Sequence, residues 1–188
     1  GGCCGTTPAH LKALVDKVGG KKRPPRPVLD APRLASGILA MPMEQEPPPF
    51  LIGERCNAQG SRKFKRLLLE DDYEGVLEVA RGQVDSGAHA LDLSVAVTER
   101  GDEAEMMRRV VRKLVVSGID VPLVIDSTEP DVMEAALAAA PGRCLLNSTH
   151  LEAGPQKARR VFGLAKKYNA AVLILTIDES GMAKTVER

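Results

Sequence analysis

The feature that most constrains the fold is a repeated order of short apolar runs and longer amphipathic ones from Phe50 onward. Five apolar runs have the composition of β-strands: FLIGE, HALDLSV, VPLVIDS, RCLLNS and AAVLILTID. Helical patterns lie between them, over residues 71–86, 102–117, 130–140 and 155–168. Continuously apolar strands joined by helices are typical of a parallel sheet that is covered on both faces. We therefore expect an α/β fold.

Each apolar run turns polar at its carboxyl end, with Glu54 to Asn57, Asp92 to Ser94, Asp126 to Thr128, Asn147 to Thr149 and Asp178 to Ser180. Ligands of α/β folds bind at the carboxyl ends of parallel strands. Five consecutive polar ends favour the rim of a barrel over an open sheet, and the sequence has no G-x-G-x-x-G or P-loop element. We predict a partial TIM-type (β/α)8 barrel of about five βα strands. Because a closed barrel needs about eight units, we expect the sequence to be part of a longer one.

The first 49 residues differ in composition from the rest. Residues 1–18 contain the stretch GGCCGTTPAH and a short helical pattern, whereas residues 19–49 carry eight of the thirteen prolines and no regular period. We therefore predict three parts: the end of a preceding domain at 1–18, a Pro-rich interdomain linker at 19–49, and the first half of the barrel at 50–188.

Composition excludes several functional classes. The net charge is +1 and the chain has no Trp, two Tyr and three Phe, so neither a basic surface nor an aromatic platform for nucleic acid is expected. The longest apolar run, AAVLILTI, is too short to cross a membrane, and no secretory segment precedes the cysteines. Four cysteines without a framework spacing indicate reduced thiols and a cytoplasmic protein.

Two of the polar strand ends suggest a kind of ligand. Asp126 and Asn147 end consecutive strands, so their side chains are expected to be neighbours on the rim. A carboxylate beside a carboxamide suits a flat heterocycle with amide and amino edges, such as a pterin. Asp126 is equally suited to cap the helix that follows it. Glu54 and Arg55 either belong to the same site or form a structural ion pair.

The motifs at these strand ends resemble those of a known family. The stretches LIGERCNAQGSRKFKRLL, HALDLSVAVTER, VPLVIDSTEPDVMEAAL, CLLNSTHLEAG and TIDESGMAKT resemble the successive rim motifs of the pterin-binding domain of cobalamin-dependent methionine synthases. The opening GGCCGTTPAHL resembles the end of the homocysteine-binding barrel of the same family. The order of the two segments, with a Pro-rich linker between them, is also the order in that family.

The resemblance implies roles for seven residues. It assigns Asp126 and Asn147 to the pterin ring and places Glu54, Asn57 and Asp92 in the same pocket. Cys3 and Cys4 correspond to two of three thiolates that bind a catalytic zinc, the third lying upstream in the family. No residue is assigned as catalytic, and neither Cys56 nor His150 receives a role.

The activity that the resemblance implies is methyl transfer from 5-methyltetrahydrofolate, through cobalamin on another module of the same polypeptide, to homocysteine, giving methionine. The segment alone would be inactive. Two alternatives stay open. One is another pterin-barrel enzyme, either a methyltetrahydrofolate:corrinoid protein methyltransferase or a dihydropteroate synthase. The other is a noncatalytic scaffold that couples two barrels.

Overall fold

The computed structural model describes residues 2–22, 25, 32–152 and 154–185, and the chain divides into two compact units, Gly1–Asp30 and Ala31–Arg188. The first unit contains helix α1 (Pro8–Val18). Thr7 begins the helix, since its backbone N–H donates to Nδ1 of His10 and Pro8 occupies the first helical position. The apolar side chains of α1 are exposed. The predicted division of the chain into residues 1–18, 19–49 and 50–188 is not tested by these features and stays a prediction.

The second unit is built on a five-stranded sheet. A short antiparallel hairpin, β1 (Arg33–Ala35) and β2 (Ala40–Pro42), precedes it. The sheet strands are β3 (Ile52–Asn57), β4 (Ala90–Ser94), β5 (Leu123–Asp126), β6 (Leu145–Thr149) and β7 (Ala171–Ile174). All neighbours in this sheet are parallel and their spatial order is the chain order. The predicted α/β class and the five parallel strands are confirmed, and consecutive strand order is the arrangement found in a barrel.

Five helices accompany the sheet: α2 (Arg62–Leu69), α3 (Tyr73–Asp85), α4 (Glu103–Val116), α5 (Pro130–Ala139) and α6 (Pro155–Tyr168). Four of them lie within two residues of the predicted bounds. Helix α2 was not predicted, although Phe64, Leu67 and Leu68 recur at helical spacing and are buried. The Ser61 hydroxyl begins α2 by accepting from the backbone N–H of Phe64.

The two faces of the sheet carry different side chains. Leu91, Leu93, Ile125 and Leu146 belong to the large core formed with the helices. The residues between them along the strands face the other way and line the concave, barrel-interior side. On that side β3 to β6 are apolar at their amino ends and polar at their carboxyl ends, whereas β7 is apolar throughout. The alternation therefore separates a structural face from a face that can hold a ligand.

The hairpin closes the amino-terminal end of the barrel interior. Leu34 of β1 is fully buried against Ala90, Val124 and Leu145, which lie within the first two residues of three adjacent strands. Paired backbone hydrogen bonds of 3.0 and 2.9 Å join Ala35 to Arg143. The expectation that residues 19–49 lack regular structure is thus wrong for residues 33–42, because long-range contacts of Leu34 stabilise strands that local composition does not predict.

The fifth apolar run also ends earlier than predicted. Strand β7 stops at Ile174, and the following residues form a second small hairpin of β8 (Ile177–Asp178) and β9 (Gly181–Met182). This hairpin is joined to the segment after β6 by the Leu151 backbone N–H, which donates to the carbonyl of Ile177.

Candidate functional site

The carboxyl ends of four adjacent strands bring four amide and carboxyl side chains together. Asn57 ends β3, Asp92 lies in β4, Asp126 ends β5 and Asn147 lies in β6. Their position follows from register, since Asn57 pairs with Ser94 and Asp126 pairs with Asn147 in the parallel ladder. Asn57 and Asp92 are buried, with 6% and 4% of their surface exposed, whereas Asp126 and Asn147 are half-buried. We call these four residues the rim cluster.

Hydrogen bonds connect the whole rim cluster. Asn57 Nδ2 donates to Asp126 Oδ2 at 2.8 Å and to Asp92 Oδ2 at 3.3 Å. Asn147 Nδ2 donates to Asp92 Oδ1 at 3.4 Å. From the sequence, the side chains of Asp126 and Asn147 were expected to be neighbours. In the structure they are linked by hydrogen bonds that run through Asn57 and Asp92. The Asn57 amide is itself oriented, because its Oδ1 accepts from the backbone N–H groups of Gln59 and Gly60.

These contacts exclude one of the two interpretations of Asp126. Helix α5 begins after Glu129, and Asp126 makes its side-chain hydrogen bond with Asn57. The alternative that Asp126 caps α5 is therefore wrong. Among the described residues, Asp126 Oδ1 and Asn147 Oδ1 accept no hydrogen bond, so each is available to a ligand.

Burial and like charge make the rim cluster electrostatically costly. Burial, followed by the charge of Asp126, raises the pKa of the Asp92 carboxyl from 3.8 to about 6, although hydrogen bonds from Asn147 and Asn57 oppose the change. Burial likewise raises the pKa of Asp126, with Glu54 adding to the effect. Near neutral pH the cluster therefore concentrates negative charge beside amide donors, which favours a ligand that brings hydrogen-bond donors.

A cavity of about 230 Å³ lies beneath the rim cluster on the concave face. It is lined by Asp92 and Asn147 at the rim and by Ile52, Val124, Leu145 and Leu173 deeper in. Glu54 also lines it, and in the described residues it makes no ion pair with Arg55. The alternative of a Glu54–Arg55 ion pair is therefore wrong. Glu54 lines the cavity and Arg55 does not, although both border a second pocket beside Gln83. A polar edge over an apolar floor suits a flat, amphipathic heterocycle.

Two neighbouring polar side chains were not predicted as part of the site. Ser127 is buried after Asp126, and its hydroxyl accepts from the backbone N–H of Glu129. Thr149 is buried two residues after Asn147, and its hydroxyl has no hydrogen-bond partner among the described residues. Both could have been predicted as site residues from the sequence, because they belong to the polar triplets 126–128 and 147–149 at the carboxyl ends of the apolar runs.

Cys56 and His150 have structural surroundings. Burial raises the pKa of the Cys56 thiol to about 12, which disfavours the thiolate that a nucleophile or metal ligand requires. His150 Nδ1 accepts from the backbone N–H of Glu152 within the loop after β6. Neither Cys56 nor His150 lines the cavity.

Cys3 and Cys4 lie in the first unit and both are exposed. The carbonyl of Cys3 accepts from the backbone N–H of Thr6, which makes a tight turn. Within the described parts of the chain, no group of three or more His, Cys, Asp and Glu side chains is placed to hold a metal ion. The two thiols suit zinc in type but do not by themselves complete a site.

The helices that the structure describes include none long and apolar enough to cross a membrane.

Comparison with known proteins places this arrangement in a family. Residues 53–188, well over half of the chain, match the family model described as "Pterin binding enzyme". The methionine synthases of Mycobacterium tuberculosis and Mycobacterium leprae are each 39% identical to the chain over its whole length. The chain spans 16% of the length of each of these relatives.

Solved structures agree on the fold. Dihydropteroate synthase from Thermus thermophilus is similar with a TM-score of 0.53 and 22% identity, over 82% of this chain and 53% of that one. The Xanthomonas albilineans dihydropteroate synthase gives a TM-score of 0.54 and 19% identity over the same shares. At these identities the likeness concerns the fold, and it agrees with a partial barrel. With the family match over residues 53–188, the conclusion is that this chain belongs to the pterin binding enzyme family.

Proposed function

We propose that this chain contributes part of the 5-methyltetrahydrofolate site of a methyltransferase of the methionine synthase type. The observation that carries the proposal is the rim cluster, in which two carboxylates and two carboxamides from four adjacent strands meet above the apolar floor of a cavity. The 39% identity to two methionine synthases supports the choice of this enzyme among pterin-binding proteins.

Within this site, Asp126 and Asn147 would contact the pterin ring. A pterin presents an amino group and ring N–H donors beside a carbonyl acceptor. The available Oδ1 atoms of Asp126 and Asn147 match those donors. Asn57 would act behind Asp126 by fixing its orientation through a hydrogen bond, and Asp92, which also lines the cavity, would fix the orientation of Asn147. Glu54, on the cavity wall, would face the same ligand.

The residues of this chain would bind and orient the substrate rather than carry the methyl group. Removal of a methyl group from N5 leaves a poor amine leaving group, so hydrogen bonding or protonation near N5 must accompany transfer. That step requires the pterin ring to be held in a fixed orientation, and the rim cluster would hold it. Cobalamin, on another module, would supply a nucleophilic acceptor for the methyl group.

The proposal extends to the first unit. Cys3 and Cys4 would supply two thiolates to a zinc site whose other ligands lie outside the described residues, and this zinc would bind the homocysteine sulfur. We place the protein in the cytoplasm, consistent with four free thiols. Elemental analysis of the naturally expressed protein should find zinc that is lost in Cys3→Ala and Cys4→Ala. Unchanged zinc content in both variants would remove this part of the proposal.

The pterin site is tested by equilibrium titration of the naturally expressed protein with 5-methyltetrahydrofolate. Loss of a buried hydrogen bond to a charged group costs about 1.5–3 kcal/mol, so Asp126→Ala should weaken binding at least ten-fold. Asn147→Ala should weaken it by about 1 kcal/mol or more. Asp120→Ala is the matched control, because Asp120 is exposed and precedes β5 at the opposite end of the same strand. Affinities of Asp126→Ala and Asn147→Ala that stay within about two-fold of the control would refute the assignment.

A further inference from the structure

Strand β3 contains one more residue than its neighbour β4 over the same span. Gly53 pairs with Leu91 and Cys56 pairs with Leu93, so three steps along β3 match two steps along β4. Glu54 and Arg55 therefore oppose the single residue Asp92. This is a β-bulge, and it lies directly before the rim cluster residue Asn57.

The bulge changes which face of the sheet the end of β3 presents. Side chains alternate along a regular strand, so a strand with Ile52 and Glu54 on the concave face would turn Asn57 toward the helices. The extra residue reverses the alternation after Glu54. Cys56 then joins the core on the helix side, and Asn57 faces the concave side, where it reaches Asp92 and Asp126. The rim cluster thus depends on the bulge.

One side chain of α3 holds the bulge in place. Oε1 of Gln83 accepts from the backbone N–H of Arg55, the extra residue, at 2.6 Å. Nε2 of Gln83 donates to Cys56 Sγ at 3.2 Å and to the carbonyl of Val79 at 3.3 Å. The carboxamide therefore connects the bulge to its own helix and occupies a backbone donor that the ladder with β4 leaves unpaired.

Gly53 leaves the space that this contact requires. A Cβ atom at Gly53 would lie 2.8 Å from Gln83 Oε1 and 3.1 Å from a methyl group of Leu91. A side chain at position 53 would therefore push the Gln83 carboxamide away from Arg55. Glycine before the bulge and glutamine facing it are two independent features that fit one local geometry.

We propose that Gln83 is a positioning residue of the pterin site, which clamps the β3 bulge at Arg55 and thereby turns Asn57 into the rim cluster. This inference rests on the proposed function. Gln83 itself lies on the helix side of β3, away from the cavity, so its effect on the ligand passes through Asn57.

The test compares substitutions that differ in one hydrogen-bonding atom. Gln83→Leu keeps the size of the side chain but removes the acceptor for Arg55, and we expect 5-methyltetrahydrofolate to bind about ten-fold more weakly to the naturally expressed protein. Gln83→Glu keeps an acceptor oxygen and should bind within about three-fold of the unaltered protein. Glu78→Gln, an exposed position on the same helix, is the control and should bind normally.

A deletion supplies a readout that loss of stability would not give. Removing Arg55 makes β3 regular while Glu54 and Asn57 stay on the concave face, so a clamp is no longer needed. The deletion in the Gln83→Leu background should restore affinity to within about three-fold of the unaltered protein. Failure to restore it in a folded protein would overturn the proposal.

Other outcomes separate this inference from the proposed function. If the unaltered protein binds 5-methyltetrahydrofolate and Gln83→Leu binds equally well, the clamp is refuted while the pterin site stands. If the deletion variant does not fold, the contrast between Gln83→Leu and Gln83→Glu decides, and equal affinities refute the clamp. An unaltered protein without affinity for 5-methyltetrahydrofolate would refute the proposed function and the clamp with it.

Discussion

The raised pKa of Asp92 predicts a pH-dependent cost to the stability of the sheet. Burial and the neighbouring charge of Asp126 raise this pKa from 3.8 to about 6, so the folded state favours the neutral carboxyl. A group of this kind contributes stability that is fully present below pH 4 and is lost as the pH rises to about 6. Asp92→Asn, which has the same size and no charge, should therefore stabilise the sheet at neutral pH.

The size of the gain follows from the two pKa values. A difference of one pH unit between the unfolded and folded pKa values corresponds to about 1.4 kcal/mol. The difference between 3.8 and about 6 therefore sets an upper limit of about 3 kcal/mol on the gain. Solvent in the cavity beside Asp92 screens the charge, and an amide has one acceptor oxygen, so it loses one of the two hydrogen bonds that Asp92 accepts from Asn57 and Asn147. We therefore expect Asp92→Asn to raise the local unfolding free energy by about 1–2 kcal/mol at pH 8.

Hydrogen exchange measured by mass spectrometry on peptides covering β4 tests this without ligand. At pH 8 these amides should exchange about five- to thirty-fold more slowly in Asp92→Asn than in the unaltered protein, and the ratio should fall toward one near pH 4. Comparing the two proteins at each pH removes the intrinsic pH dependence of exchange. The control Asp120→Asn should give a ratio near one throughout. A ratio below one at pH 8, or one that does not change with pH, would refute the reasoning.

Two further perturbations test the structure around the site. Leu34→Ala removes the side chain that closes the barrel interior and should cost about 2–5 kcal/mol, seen as faster hydrogen exchange in residues 33–42, whereas exposed Leu39→Ala should change little. Equal exchange in both variants would contradict the closing role of the hairpin. Iodoacetamide at pH 8 should label Cys3 and Cys4 within minutes but leave Cys56 unmodified until the protein is unfolded in urea. Rapid labelling of Cys56 in the folded protein would contradict its burial.

The sequence was sufficient for features that depend on local pattern. Apolar strands, amphipathic helices and the polar end of each strand are visible within windows of about ten residues, and they correctly predicted the sheet and its concave rim. Because neighbouring parallel strands end at the same edge, Asp126 and Asn147 could be placed together from order alone, whereas Asp92 was assigned to the same pocket through the family resemblance. The same reasoning did not predict that Asp92 links the other members of the cluster, since that depends on side-chain orientation.

Features that depend on distant contacts were not predictable in this way. The hairpin of residues 33–42 is stabilised by Leu34, whose partners lie about 55 to 110 positions further along the chain. The bulge in β3 adds one residue to an apolar run, and nothing in the run itself shows which residue is extra. Its partner Gln83 follows 28 residues after Arg55 in a different element, so only the folded arrangement connects the two.

A crystal structure of the naturally expressed protein with bound 5-methyltetrahydrofolate tests the central claim most directly. We predict that the pterin ring lies over the concave face, with its donor atoms about 3 Å from Asp126 and Asn147, and that Asn57 and Asp92 keep their hydrogen bonds to these two side chains. A ring bound elsewhere, or one at the rim without contact to either Asp126 or Asn147, would contradict the assignment of this cluster as the pterin site.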